Sequence, residues 1–149
     1  QGVEFETVYQ LNQNLRISLG GAYSNAELTE NAPGIGGVDG DRLPSSPEYS
    51  VNLGLQYEFE LGGHDSYVSG DYAYVNEFFN KLDETGVKLG DYGQLNMSAG
   101  ITFNDFNVEL FGHNLTDENA LTHADVVLAD DRAYQLRPRT IGLNVGYQF

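Results

Sequence analysis

The sequence predicts an all-β protein: an antiparallel up-and-down meander of about seven strands, with the character of a transmembrane β-barrel wall and the look of a segment of a larger barrel. Three observations predict it. Apolar and polar residues alternate with period two along the whole chain, short and long connections alternate between the patterned segments, and the polar side of the pattern is nearly free of charge.

The clearest strand covers residues 49–59, where Tyr49, Val51, Leu53, Leu55, Tyr57 and Phe59 share one face and Ser50, Asn52, Gly54, Gln56 and Glu58 the other. The same pattern places strands at 15–23 through Leu15, Ile17, Leu19 and Tyr23, at 95–103 through Leu95, Met97, Ala99, Ile101 and Phe103, and at 141–149 through Ile141, Leu143, Val145, Tyr147 and Phe149. Weaker copies at 3–11, 68–74 and 106–112 complete the set. No helical periodicity competes with this alternation. Between strands, short turns near 12–14, 62–65 and 104–105 alternate with long loops at roughly 29–47, 76–91 and 115–133. In transmembrane barrels the periplasmic turns are short and the extracellular loops long, so the last strand is expected to run down to Phe149 at the periplasmic rim.

Alternation alone suits a protein core as well as lipid, so the polar face decides. Its full charges are confined to Glu4, Glu6, Arg16, Glu58, Asp71 and Glu109, whereas a solvent-facing sheet carries more lysine and glutamate for solubility and edge protection. The apolar faces hold no charged residue. Dimensions agree with a membrane: the rise from Tyr49 to Phe59 is roughly 33 Å, which a strand tilt of about 40° reduces to roughly 25 Å, the height of an outward apolar band. Tyr9, Phe103, Phe106, Tyr147 and Phe149 fall at the short-turn ends, and Tyr23, Tyr72 and Tyr74 toward the opposite ends, as two aromatic girdles would require.

Composition excludes several functions. A net charge of −15, with two lysines and five arginines, cannot assemble the basic surface that phosphate neutralisation needs, so nucleic acid is not a partner. The absence of cysteine removes disulfides and thiolate chemistry. No apolar run reaches the roughly 18 residues of a spanning helix, so strands must do any crossing. The 149 residues read as one barrel segment without a separate domain.

No catalytic constellation is present, because no histidine is placed to activate a serine, and the reading is of a non-enzyme without cofactor. His64, His113 and His123 have no mutual spacing of metal ligands, and no metal site is assigned. The glycine-rich run at 33–41 lacks the lysine of a phosphate loop and reads as an outer loop. Ligand contact is assigned to the outer loops: Phe78 and Phe79 as an exposed apolar pair, and Asp125, Asp130 and Asp131, near His123, as an oxygen-rich group.

Three segments carry a family resemblance. LPSSPEYSVNLGLQYEF at 43–59, FNVELFGHNLTDENA at 106–120 with Asn114, Leu115, Thr116 and Asp117 at its centre, and RPRTIGLNVGYQF at 137–149 resemble, in this order, the C-terminal part of the β-barrel of TonB-dependent outer-membrane receptors. The resemblance implies a Gram-negative cell outer membrane, contact with its lipid and lipopolysaccharide, and uptake of a scarce ligand such as a metal chelate, a cofactor or a carbohydrate. It implies that Tyr147 and Phe149 form the closing-strand signal read by the barrel-assembly machinery. It also implies partners: the rest of a barrel of about 22 strands, a plug domain and the TonB energy-coupling complex. The plug and the coupling box have no counterpart in these residues, and the resemblance places the seven strands as the last third of that barrel, so the chain is not expected to be a complete protein. Two alternatives remain open: a small self-contained porin-like or adhesive barrel, and a soluble periplasmic β-sheet domain that binds a partner by its edge. Detergent dependence separates the last from the others.

Overall fold

A computed structural model describes residues 1–84, 86–127 and 130–149, with side chains at all of these except 126, 127, 130 and 131. Its strands in chain order are β1 Gly2–Gln10, β2 Leu15–Ser24, β3 Tyr49–Leu61, β4 His64–Val75, β5 Phe78–Phe79, β6 Lys88–Leu89, β7 Tyr92–Phe103, β8 Phe106–His113, β9 Leu121–Val127, β10 Asp130–Gln135 and β11 Thr140–Tyr147. Seven of them form one antiparallel sheet in the order β1-β2-β3-β4-β7-β8-β11, the meander expected from the alternation. The sheet is open, since β1 and β11 do not pair with each other.

Register carries the alternation across the sheet. One row of partners runs Tyr9, Ile17, Leu55, Gly70, Met97, Gly112 and Ile141, all on the apolar face. The adjacent row runs Gln10, Arg16, Gln56, Ser69, Ser98, Phe111 and Gly142 on the polar face. Parity reverses in β4 and β8, where even-numbered residues take the apolar side, because each two-residue turn fixes which pleat faces which. The turn at Gly62 and Gly63 has positive φ at both residues, 63° and 81°, the primed hairpin geometry that matches strand twist. It is tighter than the 62–65 turn expected, so β3 and β4 extend to a Leu61–His64 pair and add Glu60 and Asp65 to the polar face.

The strands are staggered along these rows. Gly2 begins β1 seven residues before Tyr9, while Thr140 begins β11 one residue before Ile141, an offset of six residues over six pairings. One residue of about 3.3 Å along the strand for each step of about 4.8 Å across corresponds to a tilt of roughly 35°, within the barrel range.

The sheet has no protein core. Among the described residues the buried apolar side chains are Leu89 and Ala124, both in the long loops, whereas Val3, Leu53 and Ile141 on the apolar face are 69%, 42% and 67% exposed. The loops are more ordered than alternation foretold. The segment expected as a loop at 115–133 carries the β9–β10 hairpin, and 76–91 carries the β5–β6 pair.

Candidate functional site: the polar wall and the long-loop cap

The polar face is a wall of side chains that bond mainly to one another. Tyr67 on β4 lays its ring over Gly100 on β7, where a Cβ would sit 2.3 Å from the ring, and so reaches the Glu109 carboxylate on β8 with its hydroxyl. Asn144 on β11 donates to the other oxygen of Glu109 at 2.8 Å, so one polar chain crosses four strands. Phe111 covers Gly142 in the same manner. Nearby, Ser69 and Ser98 are 2.8 Å apart, Asn96 donates to Asp71 at 2.7 Å and Gln56 to Glu58 at 2.9 Å. The wall presents carboxylates at Glu4, Glu6, Glu58, Glu60, Asp65, Asp71 and Glu109 against one cation, Arg16. Such a surface offers acceptors and negative charge to a polar filling.

At the long-loop end, Asn114 is the most heavily bonded side chain described. It is fully buried, with φ at 50°, a left-handed conformation that asparagine tolerates better than most residues. Its amide nitrogen donates to the carbonyls of Glu118 at 2.9 Å and Arg137 at 2.8 Å, and its side-chain oxygen accepts from the Glu118 backbone N–H at 2.9 Å. Its own backbone N–H donates to Asn96 at 2.9 Å. Thr116 bonds to the carbonyl of Gly93 at 3.0 Å, and Asp117 pairs with Arg139 at 3.2 Å. The Asn-Leu-Thr-Asp segment is thus a clasp joining the upper ends of β7 and β8 to the chain entering β11. Family resemblance alone flagged it; its local signal is an asparagine three residues before an aspartate at a turn.

The three long loops are tied into one cap. Ser45 donates its N–H to the carbonyl of Phe79 at 2.7 Å, Asn80 donates to the carbonyl of Ala124 at 3.0 Å, and Gly90 donates to the carbonyl of Leu121 at 3.0 Å. Arg42 bridges Glu48 at 3.7 Å and Glu84 at 3.4 Å. Lys88 holds Glu77 at 2.7 Å and Asp91 at 2.9 Å. Hydrogen bonds donated to Glu77 and Asp91 raise the Lys88 ammonium above its ordinary range, while Lys88, and then Tyr74, lower the Asp91 carboxyl. These cations and loop-to-loop bonds lie outside any periodic pattern, so sequence reasoning missed them.

The residues assigned to ligand contact all lie in the segments that form this cap. Phe78 and Phe79 form β5, half-buried rather than fully exposed, with Phe78 packed beside Gly90. Asp125 is exposed on β9 and pairs with His123 at 3.0 Å, whose ring lies 5.8 Å from Tyr134. The backbones of Asp130 and Asp131 open β10, and their side chains lie outside the described residues. Among the described residues, no group of three or more histidines or carboxylates is placed to hold a metal ion.

A family model described as TonB dependent receptor-like, beta-barrel matches residues 1–115. This chain belongs to that family. No curated protein sequence matches it. The TonB-dependent receptor barrel segment superposes on the crystal structure of BauA, the ferric preacinetobactin receptor from Acinetobacter baumannii, with a TM-score of 0.78 and 21% identity over 99% of its length. It superposes on FyuA, the ferric yersiniabactin uptake receptor from Yersinia pestis, with a TM-score of 0.77 and 19% identity over 97%. The chain spans 22% of the length of each. The matches are to receptors rather than to enzymes, and the shared fold is the barrel wall.

Proposed function

We propose that this segment is the wall and outer loops of a TonB-dependent uptake channel for a scarce ligand: a metal chelate, a cofactor or a carbohydrate. One observation carries the reading. An apolar face continuous over seven strands has no protein covering it, while the opposite face is a self-bonded polar wall. Hydrocarbon on one side and a polar lumen on the other satisfy both faces.

In this reading the long-loop end is extracellular and the short turns and Phe149 are periplasmic, in the outer membrane of a Gram-negative cell. The edge strands β1 and β11 pair with further strands of a larger barrel, because an unpaired edge leaves backbone donors and acceptors bare in lipid. The acidic wall faces a plug domain, the coupling partner is the TonB complex, and lipid and lipopolysaccharide surround the barrel. Ligand contact falls to Phe78, Phe79, Asp125, Asp130 and Asp131 in the cap. The self-contained small barrel is the second reading, and a native species no heavier than this chain would favour it.

This segment has no cysteine, so a cysteine introduced into it reports on its own position. Cysteine at Lys81, in a long loop, should react with a membrane-impermeant thiol reagent on intact cells bearing the full receptor, and cysteine at Gly62, in a short turn, only after permeabilisation. The opposite labelling pattern would overturn the orientation. Loss of uptake of one member of a panel of ferric chelates, cofactors and oligosaccharides on gene deletion would then name the ligand class.

The terminal aromatics make a further prediction. Tyr147 packs on Phe106 at 4.8 Å and on Phe149 at 5.3 Å, while Phe149 itself is fully exposed. As the signal read by the assembly machinery, Phe149 should be needed for insertion and dispensable for the finished wall. Its deletion should lower the surface level of the full receptor, while molecules that do insert melt normally. Undiminished surface levels would remove that role.

A further inference from the structure

The polar wall is not evenly filled. Toward its long-loop end lies a recess of about 200 Å³ between β4, β7, β8 and β11. Phe111 stands at its centre, in the row Ser69, Ser98, Phe111 and Gly142. One row toward the long loops is the Asp71–Asn96 pair, and one row toward the short turns the Glu109–Asn144 pair. His113, the last residue of β8, adds an exposed imidazole whose ring lies 5.1 Å from that of Phe111.

The bonds within the wall leave capacity unused here. Asn96 donates to one oxygen of Asp71 and accepts from the backbone N–H of Asn114, so it is fixed from two sides, while the second Asp71 oxygen is unbonded among the described residues. Asn144 donates to Glu109, and neither its own oxygen nor the His113 ring nitrogens have a hydrogen-bond partner among the described residues. Ser69 and Ser98 share a single hydrogen bond, which leaves the pair a proton and lone pairs to offer. Phe111 covers Gly142 yet is only half-buried, so part of its ring is open on the polar side.

These groups select a ligand by chemistry. Unbonded acceptors on Asp71 and Asn144, groups on Ser69, Ser98 and His113 that can donate as well as accept, and an open aromatic ring match hydroxyls carried on an apolar C–H face. A carbohydrate ring has both. A cation has only protons to give, and an anion would meet two carboxylates with no lysine or arginine among the described lining residues. Because neighbouring strands already hold the side chains, little of their freedom is lost on binding. The volume is below the roughly 300–1,000 Å³ that encloses a drug-sized ligand, so the recess suits one ring of a longer molecule.

We propose that this recess is a subsite for one ring of a neutral oligosaccharide, its hydroxyls bonded to Asp71, Asn144 and His113 and its C–H face on Phe111. The inference rests on the uptake channel proposed above, and it chooses among the ligand classes from the wall rather than from the loops.

The test uses the full receptor, purified from its outer membrane in mild detergent and applied to an array of gluco-, xylo-, manno- and galacto-oligosaccharides, with ferric citrate and pentalysine as charged counter-probes. At least one neutral oligosaccharide should be retained, and neither charged probe. Asp71→Asn replaces an acceptor by a donor, and Phe111→Leu removes the ring while keeping an apolar side chain over Gly142. Each should weaken that binding by roughly tenfold. Glu58→Gln removes a carboxylate from the same wall outside the recess and should bind like wild type; an equal loss there would reveal a general effect of charge and overturn the site. In intact cells Ser98→Cys should react with a membrane-impermeant thiol reagent, located by peptide mass spectrometry, and the retained oligosaccharide should slow the reaction. No bound neutral oligosaccharide, binding unchanged in either folded variant, or a Ser98→Cys shielded from the reagent by the plug overturns the site. Should one variant fail to fold, the other and the protection of Ser98→Cys decide. Retention of ferric citrate or pentalysine alone overturns the site and leaves the channel standing, whereas a receptor absent from the outer membrane refutes both.

Discussion

Leu53→Arg should block insertion of the receptor, and Asn52→Arg, one residue away, should be tolerated. Leu53 stands in the middle of β3 on the apolar face, between its partners Leu19 and Tyr72. Asn52 points the other way, with its amide against Gly20 on the polar face. An arginine on the lipid face near the bilayer midplane costs about 2 to 4 kcal/mol, a factor of roughly 30 to 1,000 in the folding equilibrium. On the polar side the same guanidinium gains a wall rich in carboxylates. The measurement is urea-dependent folding into lipid vesicles, read by the heat-sensitive mobility of the folded band. If both variants fold equally well, the assignment of faces is wrong.

The second large effect is expected at Asn114, from the opposite kind of environment. Replacing it with alanine strands the Glu118 and Arg137 carbonyls and the Glu118 N–H in a fully buried position, and forces alanine into a left-handed backbone. Loss of these bonds, each worth about 1 kcal/mol when satisfied and more when a partner is left bare, gives a destabilisation of about 3 kcal/mol. Asn114→Asp should be no milder, because it keeps the acceptor but aims a carboxylate at two carbonyl oxygens. Asn114→Gly should recover about 1 kcal/mol of the alanine loss by relieving the backbone. Thermal melting of the purified receptor checks the totals, and hydrogen exchange over 114–139 checks the place. A melting point for Asn114→Ala matching wild type would show the clasp to be ornamental.

These two sites mark what could and could not be read from the sequence. The faces at Leu53 and Asn52 were legible because a pleated strand between hydrocarbon and a polar lumen writes its environment at every second residue. The reversed parity from Val68 to Tyr74 was legible for the same reason. The clasp was not, because its bonds join Asn114 to Asn96, Glu118 and Arg137, contacts with no period. The β9–β10 hairpin was missed because neither of its faces must be uniformly apolar, so Leu121–Val127 lacks alternation even though it pairs. The tie between Ser45 and Phe79 belongs to two loops far apart in the chain. The half-buried setting of Phe78 and Phe79 follows from that cap, and a reading of the run as an exposed pair had no access to it.

The wall's lack of a protein interior bears on how such a protein diverges. A packed core is a jigsaw in which each change of shape is felt by its neighbours, so it resists substitution. Fluid hydrocarbon makes no such demand. Along Leu15, Ile17, Leu53, Leu143 and Val145 any apolar side chain of ordinary size serves, and selection sees polarity while shape drifts. The fold can then be kept at a TM-score of 0.78 while identity falls to 21%. What drift cannot touch freely is the small set of positions where one residue's shape is another's support: Tyr67 over Gly100, Phe111 over Gly142, and Asn114 among the chain ends it holds. Kinship among such walls is therefore expected to survive longest in their glycines and their clasp, and to fade first along the membrane-facing rows that announce the fold.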